Sequence, residues 1–529
     1  GIGTPATQNF TLTVSSDPCA SFSSGSESLL SGSYAFLLKG FDDGNFSGEN
    51  GQQEPALVGG VLTFNGTNNS GSITAGAIDL NLNGSAGLDS LTVNSGTYKV
   101  GSDHRACMAL NLSDGSTEHY AVSVGGISSG VASTGHMISF DGSSGTGNVF
   151  ATGTLKKQDT TAFSTSKVTG NYAFVFSSTQ NTAISGGRFT AIGQIKLSNG
   201  SITGGEADSN ENGVIDKDCG TFTNWPATPC YSIASGGTYS IANNGRGSLS
   251  FTVNAGGKSN LQSMELYVIS ATDFFILQNT DQTQNTVAGG EALQQSGSFS
   301  TSALNATDIL YMSGFDCGGS NCTIDQSNSN GTAGSNTVLV AFTANGSGGV
   351  SSGTFYSNSS GTIQSGPLSG ATYSVDSNGR GTFTPPGGSG GKPLLFYLAG
   401  ANRGWVISPD KGVASGGIEK QTATSASGTY AVGVINPPVP SGVNEGVVTI
   451  ASGSVSGTED HNDPQGGPQA GGSISGNVTV DSNGFGQVAS GTCTPTNGDC
   501  EFLFYTVSST GFVGMDGSGS NSNIQPGDQ

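Results

Sequence analysis

The chain of 529 residues is poor in charge, and above all in basic residues: 16 Lys and Arg stand against 37 Asp and Glu, a formal net charge of −21. Such a surface repels phosphate backbones and anionic lipid, which argues against nucleic-acid binding and membrane-surface docking. Long hydrophobic runs are missing as well. No apolar stretch approaches the ~20 residues that cross a bilayer as a helix, so membrane insertion is not expected. Histidine is scarce, and none of His104, His119, His136 and His461 lies in a nucleophile or zinc motif. Acid pairs such as Glu459-Asp460 carry no information about the separation a glycoside hydrolase needs. The Gly-rich stretch 387–391 has neither a phosphate-loop Lys nor a helix after it. No catalytic residue is assigned, and an enzyme is not expected.

What is abundant is glycine, 87 residues of it, with Ser, Thr and Asn between short apolar runs such as YAFLL (34–38), LYVI (266–269) and FLFY (502–505). This is the texture of β-strands joined by turns. Four signatures recur in one order. An opening strand reads YAFLLKGFD, YAFVFSS, ILYMSGFD and YAVGVIN, and a second follows as GGVLTFNG, GGRFTAIG, VLVAFTANG and EGVVTIASG. A hairpin comes third, TYKVGSDHRA, TYSIANNGRG, TYSVDSNGRG and VTVDSNGFG, in which Asn-Gly is expected to supply two positive-φ residues of a type I′ turn. Arg105, Arg246 and Arg380 follow this turn in three modules and Phe485 in the fourth, which reads as a surface Arg flanking a hairpin. Strand aromatics such as Tyr267, Tyr397 and Tyr505 read as core, with Trp225 and Trp405 the other candidates for stacking on sugars. A closing run, ending KKQ, LQQ and EKQ, completes modules 1 to 3 and is not found in module 4.

The spacing predicts an all-β chain of four tandem antiparallel β-sandwich or β-barrel modules, each with its own core. Their boundaries are placed at 19–160, 161–297, 298–423 and 424–529, after an N-terminal strand at 1–18. Eight cysteines suggest one disulfide per module: Cys219 with Cys230, Cys317 with Cys322, Cys493 with Cys500, and the remaining Cys19 with Cys107. Disulfide-stapled modules imply a secreted, extracellular or cell-surface location. The start at Gly1 rather than Met is expected of a processed or excised product.

One motif reads as metal chemistry. Asp208, Asn210, Asn212, Asp216 and Asp218, with the carbonyl of Val214, present alternating oxygens and resemble the calcium loop of EF-hands and dockerins. Cys219 stands where that pattern wants a bidentate acid, and the same register reads Asp79-Leu80-Asn81, Tyr356-Ser357-Asn358 and Asp460-His461-Asn462 in the other modules. Calcium is thus a candidate in module 2 alone, and no cofactor is required.

The opening GTPATQNFTLTVSS resembles the final strand of bacterial immunoglobulin-like domains, while GxYAF with a YxVxxNGRG hairpin resembles the tandem Gly-rich β-repeats of large secreted proteins of Acidobacteria-like bacteria. The resemblance covers all four modules and implies an extracellular surface or appendage protein without an assigned activity. Phe10, Leu12 and Val14 alternate as a strand with no partner of its own, and module 4 is expected to lack its closing strand. These complementary defects suggest head-to-tail self-association by strand donation, and so a filament subunit. The alternative is an adhesin or carbohydrate-binding protein that takes glycans without catalysis.

Overall fold

A computed structural model describes residues 17–528 except 43–54, 83–87, 142–148, 181–187, 212, 221, 223, 280–285, 318–332, 360, 387–391, 411–412, 434–441, 464–465, 492, 496–499 and 518–523. Phe10, Leu12, Val14, Asn212, Cys322 and the side chain of Cys317 lie outside the described residues. The fold is all-β, with short 3-10 turns between strands. Among the described residues no helix is long and apolar enough to cross a membrane.

The modules are antiparallel barrels. Module 1 runs through eight strands from Ser31–Asp42 to Val149–Lys157, and these two pair to close it. In module 2, Arg188–Ser198 pairs with both Gly170–Gln180 and Ser201–Glu211, while Thr286–Gln294 returns to Gly170–Gln180. Module 3 is a nine-stranded antiparallel sheet that curls round so that its end strand Thr372–Val375 meets the chain just before Val350–Ser359 at the bridge Gly349–Thr372. Module 4 closes through Ile524–Asp528, which pairs with Gly511–Asp516 and Gly428–Gly433. The expectation that module 4 lacks its closing strand is corrected by this pairing. Its contact with the first strand spans only Ala431–Asp528 and Val432–Gly527, so Pro526, with no N–H to donate, lies beyond that short ladder. The open edge required for strand donation is therefore filled by the chain itself.

The repeated hairpin also differs from the type I′ expectation. Only its last loop residue has positive φ: Gly245 at 83°, Gly379 at 86°, Gly484 at 82° and, in module 1, His104 at 66°. Gly379 N donates to Asp376 O, and Asp376 N to Arg380 O, the bonding of a three-residue loop with a bulge. Asp376 Oδ1 accepts from Asn378 N and Arg380 N, bracing the loop from within.

The continuous apolar runs have a structural cause. Tyr34, Phe36 and Leu38 point into the core of module 1, but Ala35 and Leu37 pack with Tyr267, Ile269, Phe275 and Leu277 of module 2. Conversely, Leu266 and Val268 fill the core of module 2. Strands buried on both faces need no polar alternation. Four apolar clusters among the described residues are barrel cores, and four others straddle modules: 1 with 2, 2 with 3, 3 with 4, and 4 with 1. The last of these brings Val443 against Ala121, Ile138 and Phe140, so the four barrels close a ring. Each module offers its early strands to the later strands of the next.

Candidate functional site: four joints and a central cavity

The residues singled out in the sequence converge on these joints. Between modules 2 and 3, Arg380 donates from Nε to Asp208 Oδ2 (2.9 Å) and from Nη2 to Asp208 Oδ1 (2.8 Å), while Tyr397 Oη donates to Oδ2 at 2.9 Å. Between modules 1 and 2 the set repeats with Arg246, Asp79 and Tyr267, all three bonds at 2.7 Å. Both aspartates are fully buried. Between modules 4 and 1, Arg105 Nε donates to Asp460 Oδ2 at 2.9 Å. Between modules 3 and 4 the same positions hold rings, Phe485 lying parallel to Tyr356 at 4.2 Å with Tyr505 against it at 5.2 Å.

An asparagine two residues on completes every joint. Asn81 donates to Gln278 O (2.6 Å), Asn210 to Ser408 O and Asp410 O (both 2.7 Å), Asn358 to Asp516 O (3.0 Å), and Asn462 to Ser139 O and Asp141 O (both 3.1 Å). At the three junctions along the chain, the final glutamine of the closing run adds another bond: Gln158 to Val268 O, Gln295 to Leu398 O, Gln421 to Thr506 O.

The reading of the hairpin arginines as surface residues is thereby overturned for Arg105 and Arg380, which are buried, and Arg246 is half-buried in its joint. The calcium set does not fit a cation either. Asp208 already holds a guanidinium, Asn210 turns its amide toward carbonyls of module 3, Asp216 Oδ1 accepts from Ser209 N, and Asp218 takes Tyr231 Oη and Lys258. Val214 is exposed, and no group of three metal-ligating side chains occurs among the described residues. Burial and the neighbouring Asp208 push the Asp216 carboxyl up to about 8. The oxygen-rich register serves the joint.

The cysteine pairs Cys19–Cys107, Cys219–Cys230 and Cys493–Cys500 are disulfides. Cys19–Cys107 lies in the apolar cluster where module 4 meets module 1. Trp225 and Trp405 both belong to the 2/3 joint, donating Nε1 to Pro393 O (2.9 Å) and Ala173 O (3.2 Å).

All four modules line a central cavity of about 400 Å³. Lys39 reaches it from module 1 and donates to Ser177 Oγ at 2.5 Å; burial pushes its amine down to about 8. Lys156 bonds to Glu291 (2.6 Å) and Asp273 (3.3 Å) of module 2, and the latter carboxyl is pushed up to about 7 by burial and by Glu291. Module 3 adds Trp405, Arg403 and the Tyr311–Glu419 pair, whose bond is 3.1 Å; module 4 adds Ser508 and Thr510. His136 also faces the cavity, whereas His119 pairs with Asp141 at 2.6 Å elsewhere. The lining sets Lys39, Lys156 and Arg403 against Glu291 and Glu419 and is rich in hydroxyls and rings.

No family model and no curated protein matches the chain. Among solved structures it is similar to transferrin-binding protein B of Haemophilus parasuis, at 11% identity over 78% of this chain and 86% of that one, with a TM-score of 0.16. The isotype 1 transferrin-binding protein B of serogroup B Neisseria meningitidis matches at 10% identity over 82% and 84%, with a TM-score of 0.17. At TM-scores this low neither likeness bears on fold, partner or arrangement.

Proposed function

We propose that the protein is an extracellular, non-catalytic structural element of a bacterial surface, working as a rigid four-barrel platform. The observation that carries this reading is the joint between the last module and the first, Arg105 with Asp460 and Asn462 with Ser139 and Asp141, which turns a string into a ring. A string of barrels on linkers bends at every linker. A ring closed by buried contacts has no free hinge and holds its surface loops in fixed relation. Disulfides and a strongly acidic surface suit an oxidising, dilute environment outside the cell. Small-angle X-ray scattering tests the reading. A compact particle with one maximum in its distance distribution is expected, and the profile of an extended, flexible string would refute it.

A second reading, binding of a small polyhydroxylated ligand such as a glycan, is favoured by the central cavity with Trp405, Tyr311 and its hydroxyls. Titration of mono- and disaccharides followed by Trp fluorescence tests it, and a flat response for the whole set would remove it.

A further inference from the structure

We propose that the joint between modules 4 and 1 also forms between molecules, so that the ring can open and module 4 of one copy can take module 1 of a second. The inference rests on the ring itself.

Three joints unite modules that are consecutive in the chain, where a linker holds the faces together and its glutamine bonds across. The fourth unites Arg105 and Asp460, 355 residues apart, by non-covalent contact alone. Module 1 of a second copy presents the same groups, and only effective concentration favours the closed form.

The polar contacts of this joint are also the least complete of the ionic ones. Arg246 and Arg380 each grip their aspartate through two nitrogens, whereas Arg105 bonds Asp460 through Nε. In the strand registers Arg246 faces Tyr267 and Arg380 faces Tyr397, but Arg105 faces Ser123. Ser123 Oγ donates instead to Val432 O at 3.3 Å, leaving the aspartate without a phenol donor. The other oxygen of Asp460 is met from within its own module, Gly471 N donating to Oδ1 at 2.9 Å, and burial together with Asp460 pushes the neighbouring Glu445 carboxyl well above its usual range. A joint with fewer hydrogen bonds across it costs less to separate.

The geometry fixes what an opened molecule does. The early strands of module 4 match the later strands of module 1, not themselves, so the contact is heterologous. Two opened copies cannot pair as a symmetric face-to-face dimer through it; they join head to tail, into larger rings or a growing chain.

The experiment uses the full chain, refolded at low and at high protein concentration and then examined by size exclusion with light scattering. Monomer at low concentration and a mass at least two-fold higher at high concentration are expected. Asp460→Ala weakens the joint within and between copies alike and should lower the multimer fraction in favour of open monomer, and the pair His136→Cys with Gly433→Cys, whose Cβ positions face each other across the joint, oxidised as monomer, should abolish it. Monomer at every concentration for the wild type, with compact scattering retained, would overturn the proposal while leaving the ring intact. Multimers undiminished by the oxidised cysteine pair would overturn it as well. Extended scattering from the monomer would instead remove the ring on which it rests.

Discussion

The joint between modules 2 and 3 and the joint between modules 3 and 4 solve one packing problem in opposite ways. The first buries Arg380, Asp208 and Tyr397 as a hydrogen-bonded set; the second puts Phe485, Tyr356 and Tyr505 at the matching places. An ion pair taken out of water recovers its desolvation only when every donor and acceptor is met, whereas stacked rings carry no such requirement. The exchange works because both partners changed together. Phe485 opposite an aspartate, or Tyr356 opposite an arginine, would leave a buried charge alone.

The sharpest way to break the comparison is to strand a charge on the ionic side. Arg380→Ala should destabilise the 2/3 joint by about 3–5 kcal/mol, since Asp208 is left buried and unpaired. Denaturant unfolding followed by Trp fluorescence reads this directly, because Trp225 and Trp405 both sit in that joint. A loss under about 1 kcal/mol would mean that water reaches the site. Glycine at the module 1/2 joint gives a steric counterpart. A Cβ on Gly59 would come within 2.6 Å of the Tyr267 ring, and Gly59→Ala should cost about 1–3 kcal/mol in a calorimetric melt.

Transplanting the aromatic solution sharpens the contrast. Asp208→Tyr with Arg380→Phe should lose no more than about 1–2 kcal/mol, less than Arg380→Ala alone, and a double-mutant cycle would give a strongly favourable coupling. Additive losses would show that the two joints differ in backbone spacing as well as in side chains.

The last contrast between the joints is one of pH. The folded Asp216 carboxyl is held up near 8 by burial and Asp208, above its unfolded value of 3.8. Its contribution is fully present below the unfolded value and is lost as pH rises through about 8. Thermal melts should therefore fall between mildly acidic and alkaline pH, and Asp216→Asn should flatten that fall. An unchanged slope would show that Asp216 stays ionised. In the aromatic joint the groups raised by burial are the phenols of Tyr356 and Tyr505, so a counterpart there is confined to alkaline pH.

The repeat, the strand class and the hairpins were legible because Tyr-led strands and Asn-Gly loops are local signals. The joints were not, since their partners lie 167, 172 and 355 residues apart. Traces were nevertheless present. YAFLL and LYVI are apolar at every position because both faces are covered, and the Asp-x-Asn register recurs because one face of each module meets the next. In module 2 that register looked like a cation loop for a simple reason: oxygens gathered for a guanidinium and for turn N–H groups have the same composition as oxygens gathered for calcium. The joint departure of Tyr356 and Phe485 from the Asp and Arg of their counterparts was the one covariation visible within a single chain.

Closing the circle within one polypeptide removes a restriction that identical subunits impose. In a homotetramer every lining side chain is present four times, and any substitution is copied around the axis. Here the quadrants evolve separately: Lys39 and Lys156 enter the cavity from module 1, Glu291 from module 2, Trp405 and Glu419 from module 3, and hydroxyls from module 4. The outer shape can thus keep its fourfold regularity while the interior is free to recognise something with no symmetry at all.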